Sequence, residues 1–143
     1  MLYNEITERI IKAAMEVHST LGNGFQEVIY QHSFAIELSL AGLIYEREKT
    51  MPIFYKIQQV GTRRVDFFIE NKIMVELKAV IQLEDVHLAQ AINYLEAYNM
   101  EIGLLINFGA KSLQFKRVHN NKILTQQSNL EKQLSNQENP LIQ

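Results

Sequence analysis

The run from Arg64 to Lys78, R-V-D-F-F-I-E-N-K-I-M-V-E-L-K, constrains this chain more than any other stretch. Two apolar segments are broken once, at Glu70-Asn71-Lys72, so the run reads as a β-hairpin. A three-residue loop over 70–72 sets Ile69 opposite Ile73. In that register Asp66 falls opposite Glu76, with Cβ atoms about 4.5–5.5 Å apart. A slip of one residue would send the two acids to opposite faces. Strand alternation places Asp66 with Arg64 and Phe68, and Glu76 with Met74 and Lys78. Opposed carboxylates destabilise a sheet pair, so something must offset them. Lys78 offsets part of the repulsion, and a divalent cation would offset more. Mg²⁺ is commonly held by one or two carboxylates plus waters and phosphates. The bland alternative is a solvated surface hairpin. Against it stands the apolar surround, V-D-F-F-I and I-M-V-E-L-K, in which unpaired charges are rare.

The rest of the chain supplies helices for such a sheet. Residues 4–21 carry Ile6, Ile10, Ala13, Ala14, Val17 and Leu21 at helical spacing, with Asn4 as N-cap. Gly22-Asn23-Gly24 breaks the pattern as a turn between helices. A second helix is expected over 25–41, with Gly42 as its terminating glycine. Extended segments follow at 45–50 and, after Pro52, at 53–60, closed by Gly61. The hairpin strands are 65–69 and 73–80. A third helix over 84–98 begins with Glu84 and Asp85. Residues 102–107 read as a buried strand, and 112–118 as one more strand. This order predicts an α/β domain with a mixed central β-sheet flanked by helices.

At 143 residues and 47% apolar content, the chain fits one domain with a real core. Residues 1–118 form that domain. Residues 119–143 are rich in Gln and Asn and are expected as a frayed helix or tail outside the core. No apolar run approaches the roughly 20 residues of a membrane helix, and the first residues lack a signal-peptide pattern. With no Cys, thiolate metal sites are excluded and a cytoplasmic location is the expectation. A net charge of −2 argues against a DNA-coating protein, but an enzyme needs only a local basic strip. No G-x-S-x-G or H-E-x-x-H occurs, so acyl transfer and zinc proteolysis have no support.

Other residues carry candidate roles. His87, Gln90 and Tyr94 form one polar stripe of the third helix, beside the apolar stripe of Leu88, Ile92 and Leu95. That stripe either supports Lys78 and a substrate or faces solvent. Glu27 and Tyr30 share a face of the second helix. Arg64, with Arg63 and Lys49, is a candidate for backbone phosphates. His18 either caps its turn or reaches a metal or phosphate. His18, Tyr30, Arg64 and His87 make up the candidate nucleic-acid contacts.

The chain also resembles a known family. Gly24-Phe25-Gln26-Glu27-Val28-Ile29-Tyr30 matches the signature of GxxExxY proteins, and Val17 to Gly22 is similar to that family's lead-in. Asp66 and Glu76-Leu77-Lys78 resemble the bipartite motif of the PD-(D/E)XK nuclease superfamily, and Leu104 to Gly109 is similar to another of its segments. Val65 stands where the superfamily's name has Pro. The resemblance covers roughly residues 4–118. It implies a restriction-endonuclease-like core and Mg²⁺- or Mn²⁺-dependent hydrolysis of DNA. It implies Glu27, Asp66, Glu76 and the Leu77 carbonyl as metal ligands, Lys78 as the catalytic lysine, and Gln90 and Tyr94 as its supporting pair. At 143 residues there is little room for a separate sequence-reading domain, so the expectation is weak sequence preference, or recognition supplied by a protein partner or second subunit. Two other readings stay open: a nucleic-acid-binding or assembly module that does not cleave, and a protein-interaction platform.

Overall fold

The computed structural model describes residues 3–138. Two helices come first, α1 (Asn4–Leu21) and α2 (Glu27–Leu40). The strands are β1 (Tyr45–Tyr55), β2 (Gln58–Ile69), β3 (Ile73–Lys78), β4 (Ile102–Asn107) and β5 (Gln114–His119). Helix α3 (Asp85–Ala97) joins β3 to β4, and α4 (Asn121–Glu138) follows β5. The sheet order is β1-β2-β3-β4-β5. Only β3 and β4 are parallel, as a helical crossover between them requires; the other neighbours are antiparallel. Helices α1 and α2 cover one face, packing Ile10, Val17, Phe34 and Leu38 on Phe67, Val75, Leu77 and Ile106. On the other face Ala91 and Leu95 of α3 pack with Val65, Met74 and Val118. The expected mixed sheet flanked by helices is therefore present.

Glycine ends α2 as expected. Gly42 adopts φ 73°, and the Leu43 N–H reaches the Leu38 carbonyl at 3.0 Å, a Schellman closure. Gly22 terminates α1 at φ 76°. Asn4, expected as N-cap, lies inside α1, and its side chain accepts from Arg117 instead. Helix α2 starts two residues later than expected, because Gln26 is extended at φ −74° and ψ 156°; the Phe25 N–H before it donates to the Tyr30 hydroxyl at 3.1 Å.

The segments expected at 45–50, 53–60 and 65–69 are two strands, not three. Pro52 sits on β1 at the sheet edge, where its missing N–H costs no ladder bond. Gly61 does not close a strand; it pairs with Ile53 inside β2. Gln59 pairs with Phe54, so Val60 is the extra residue of a bulge. The turn falls at Lys56-Ile57 instead.

The β2–β3 register is the expected one. Ile69 pairs with Ile73, Phe68 with Met74 and Phe67 with Val75. Glu70 and Asn71 have φ near 54° and 53°, and the Lys72 N–H closes on the Ile69 carbonyl at 3.0 Å. Strict alternation fails one step further on. Tyr45 and Phe67 pack under α1 and α2, whereas Met51 and Val65 pack under α3, although each pair has one parity. Both strands therefore rotate about their axes between these residues, at Asp66 and at Glu48, whose φ is 55°. Asp66 accordingly does not line up with Arg64 and Phe68 as simple alternation required.

Strand β3 ends at Lys78, two residues early, because a side chain replaces its ladder. Buried Asn107 accepts the Val80 N–H at 2.9 Å and the Gly109 N–H at 3.0 Å. Its amide donates to the Val80 carbonyl at 2.9 Å and to Gln114 at 3.0 Å. A Cβ on Gly109 would overlap the backbone of Ala79 and Val80, so this junction admits only glycine. Asn107→Ala leaves three half-buried backbone groups without their partner and should cost about 3 kcal/mol in urea unfolding. Asn107→Asp keeps the two acceptors but not the donors, and should not restore stability. Equal stability of either variant and the native chain would contradict this role.

Candidate active site

The β2–β3 ladder stops at Phe67–Val75, one step short of the acids. There the Asp66 carboxylate takes over the sheet's bonding, accepting the Leu77 N–H at 2.8 Å. Its other oxygen accepts from Gln31 of α2 at 3.1 Å. Asp66 is thus fixed from the strand side and the helix side. Glu76, on β3, is only 4% exposed. Its Oε2 meets the Arg63 guanidinium at 3.3 Å, while its Oε1 is buried with no hydrogen-bond partner. The Arg63 Nε is also buried without a partner, so this pair is made by one contact only. Arg63 is held by stacking over the Tyr94 ring, 4.7 Å from its centroid.

Burial first, and then the neighbouring Asp66, push the Glu76 pKa up to about 8, against the opposing pull of Arg63 and Lys78. When protonated, Glu76 can donate to Asp66. Glu27 is shifted upward too, first by burial and then by Asp66, with Lys78 and Arg63 lowering it. Glu27, Asp66, Glu76, Lys78 and Arg63 therefore form one electrostatic cluster.

A narrow crevice beside this cluster is lined by Arg63, Glu76, Lys78, His87, Gln90 and Tyr94. The polar stripe of α3 thus faces the site and not open solvent alone. His87 has a structural duty there as well. Its Nδ1 accepts the Glu84 N–H at 2.9 Å, which caps α3 and leaves Nε2 to carry the proton.

Four candidate residues lie elsewhere. Tyr30 is fully buried, stacked on Phe108 with centroids 4.8 Å apart, and its hydroxyl donates to the Gly22 carbonyl at 2.6 Å. It clamps the α1–α2 loop and is corrected from a nucleic-acid contact to a core residue. His18 Nε2 donates to the Ala110 carbonyl at 2.9 Å, tying α1 to the loop after β4. Arg64 is exposed and lies 3.9 Å from Glu48, on the ribbon and not in the crevice. Lys49 pairs with Glu46 and covers the Phe68 ring. Arg63 is the arginine that reaches the acids. Gln31 was not expected; its helical step of four from Glu27 was the available signal.

The donor set suits a hard divalent cation, since a buried carboxylate oxygen without a partner stands next to a second carboxylate. Among the described residues, no three acidic or imidazole groups already converge as a ligand shell. Glu27 therefore contributes its field, and any direct ligation by it requires the side chains to draw closer.

Between about pH 4.5 and 8 the folded chain keeps a proton on Glu76 that the unfolded chain has released. The native state then binds more protons, so stability falls as pH rises through that window. In chelator, urea midpoints should decline between those limits, and Glu76→Gln should remove most of the slope. A slope that survives Glu76→Gln would show that Glu76 does not keep its proton.

Comparison with known proteins agrees with this geometry. No curated protein matches the chain. A solved structure described as "Crystal structure of SSO0001" aligns with 18% identity and a TM-score of 0.44, covering 80% of this chain and 77% of the other. That likeness is too distant to carry an argument. The family model of the PD-(D/E)XK nuclease superfamily matches residues 4–118, the span holding Glu27, Asp66, Glu76 and Lys78. The chain belongs to the PD-(D/E)XK nuclease superfamily.

Proposed function

We propose that this protein is a divalent-metal-dependent nuclease that hydrolyses DNA phosphodiesters, of the GxxExxY type. The observation that carries the reading is the partnerless Glu76 Oε1, buried beside Asp66 and two positions from Lys78. Below about pH 8 a proton that Glu76 donates to Asp66 serves that oxygen, and a bound cation would displace it and compensate both carboxylates. Asp66, Glu76 and the Leu77 carbonyl would hold Mg²⁺ or Mn²⁺, with Glu27 completing the acidic field. The ion would polarise the phosphate and lower the pKa of a water.

The remaining work falls to the chain's own groups. Lys78, which lines the crevice, holds the attacking water by donating to it. Arg63, fixed on Tyr94, has donors to offer a phosphate oxygen beside its single contact to Glu76. Gln90 and His87 Nε2–H supply further donors along the same crevice. The GxxExxY signature has a physical sense here. Tyr30 closes the loop from Gly22 to Phe25, and the first turn of α2 then presents Glu27 to the acids.

One observation favours the second reading, a nucleic-acid-binding module that does not cleave. The acids are not drawn into a three-ligand shell among the described residues, and Arg63 already compensates Glu76. Cleavage assays on single-stranded, duplex and branched DNA with Mg²⁺ or Mn²⁺ separate the two. Glu76→Ala and Lys78→Ala should each lower the cleavage rate by at least about a hundredfold, with folding intact. DNA binding without cleavage of any substrate would establish the module.

A further inference from the structure

The β1–β2 ribbon carries a surface that the hydrolytic site does not use. At its tip Phe54, Tyr55, Ile57 and Val60 are all exposed, Ile57 to 95%. Their clustering is not forced by packing, since β1 is an edge strand and the tip buries no side chain. From Thr50 to Val65 there is not one acidic residue, while Lys56, Arg63 and Arg64 give the segment a charge of +3. Arg63 and Arg64 each meet one carboxylate, Glu76 and Glu48, farther down the ribbon, so the tip itself carries Lys56 and no acid. Two features decide what it suits. Positive charge selects a polyanion, and exposed rings beside it select one with accessible apolar faces. A blunt duplex hides its base faces in the stack; an unpaired strand does not.

We propose that the tip of the β1–β2 ribbon is a stacking platform for single-stranded nucleic acid that feeds the crevice, a proposal that rests on the nuclease-site reading above. Tyr55 ends the strand whose Met51 pairs with Arg63 of the crevice, so tip and crevice lie on one continuous ribbon. Lys56 already sits 5.6 Å from the Tyr55 ring centroid, placing a cation beside the stacking surface. Phe54 and Ile57 flank it in the chain and are exposed as well. From the turn to Arg63 the ribbon spans about 20 Å at about 3.3 Å per residue. That length matches roughly six stacked nucleotides at about 3.4 Å each. The substrate class is then DNA with an unpaired segment: a single strand, an overhang or a branch.

The test is fluorescence anisotropy of the full chain in chelator, with a labelled single strand, the blunt duplex of that sequence, and a duplex with an overhang. The native chain should bind the strand and the overhang more tightly than the blunt duplex. Phe54→Ala with Tyr55→Ala should weaken strand and overhang binding about ten- to a hundredfold and leave the duplex unchanged. Tyr55→Phe should bind as the native chain does. Tyr55→Leu, which keeps the apolar area and removes the ring, should lose the strand preference, and covers the case in which the double variant fails to fold. Equal native binding to strand and blunt duplex would overturn the proposal. So would a double variant that binds unchanged, including one that merely turns a dimer into a monomer in sedimentation. Chelator blocks hydrolysis, so the outcomes separate. Cleavage in Mg²⁺ with indifferent tip variants sinks the platform and spares the nuclease. Tip-dependent strand binding with no cleavage in Mg²⁺ or Mn²⁺ does the reverse.

Discussion

The bond from the Leu77 N–H to the Asp66 carboxylate organises this molecule. It stands where the β2–β3 ladder ends, and it substitutes a side chain for the next backbone rung. A continued ladder would hold the strands at ordinary spacing and press Asp66 and Glu76 together as an uncompensated pair. Ending it there lets Asp66 turn toward α2, where Gln31 holds it, while Glu76 turns toward α3, where Arg63 meets it. The two acids remain electrostatically coupled but are braced from opposite faces of the sheet. The rotation of β1 and β2 at Glu48 and Asp66 belongs to the same event, since it moves the apolar side chains from one helical layer to the other.

The loops around the site are held by polar groups whose bonding is complete. Asn107 uses both its donors and both its acceptor sites, and Tyr30 donates and accepts at the α1–α2 turn. At the acids the reverse holds: Glu76 Oε1 and Arg63 Nε are buried and unmatched. A satisfied frame around an unsatisfied centre is the pattern expected where binding energy is kept for a ligand. The same contrast explains why Asn107 reads as architecture although it neighbours Lys78 across the β3–β4 ladder.

Much of this was legible in the sequence, for identifiable reasons. The hairpin register followed from loop length alone, and the helical stripe of His87, Gln90 and Tyr94 followed from periodicity. The α2 terminus followed from the one conformation that Gly42 supplies cheaply. Reading failed where local punctuation was overridden. Pro52 and Gly61 look like strand ends, but an edge position tolerates the first and a bulge beside Val60 absorbs the second. Alternation could not choose between Arg63 and Arg64, because β2 rotates just beyond them. Tyr30 was misplaced because a tyrosine on the face of an acid reads equally as ligand contact or core. Only the depth of the Phe108 stack decides between them.

Arg63 brings the electrostatics together. It is the nearest cation to Glu76, yet its contact is single and its Nε goes unmet, so it compensates the acid without matching it. A bidentate pair would have been more stable and would have sealed the crevice. Stacking on Tyr94 holds the guanidinium in place whether or not the carboxylate is ionised, because the ring's attraction does not depend on Glu76. A phosphate entering along the ribbon therefore meets a cation already positioned. Under the proposed function, a divalent ion would replace the charge that Arg63 supplies to Glu76 if the guanidinium turned to a phosphate, and anion and cation binding would then reinforce one another.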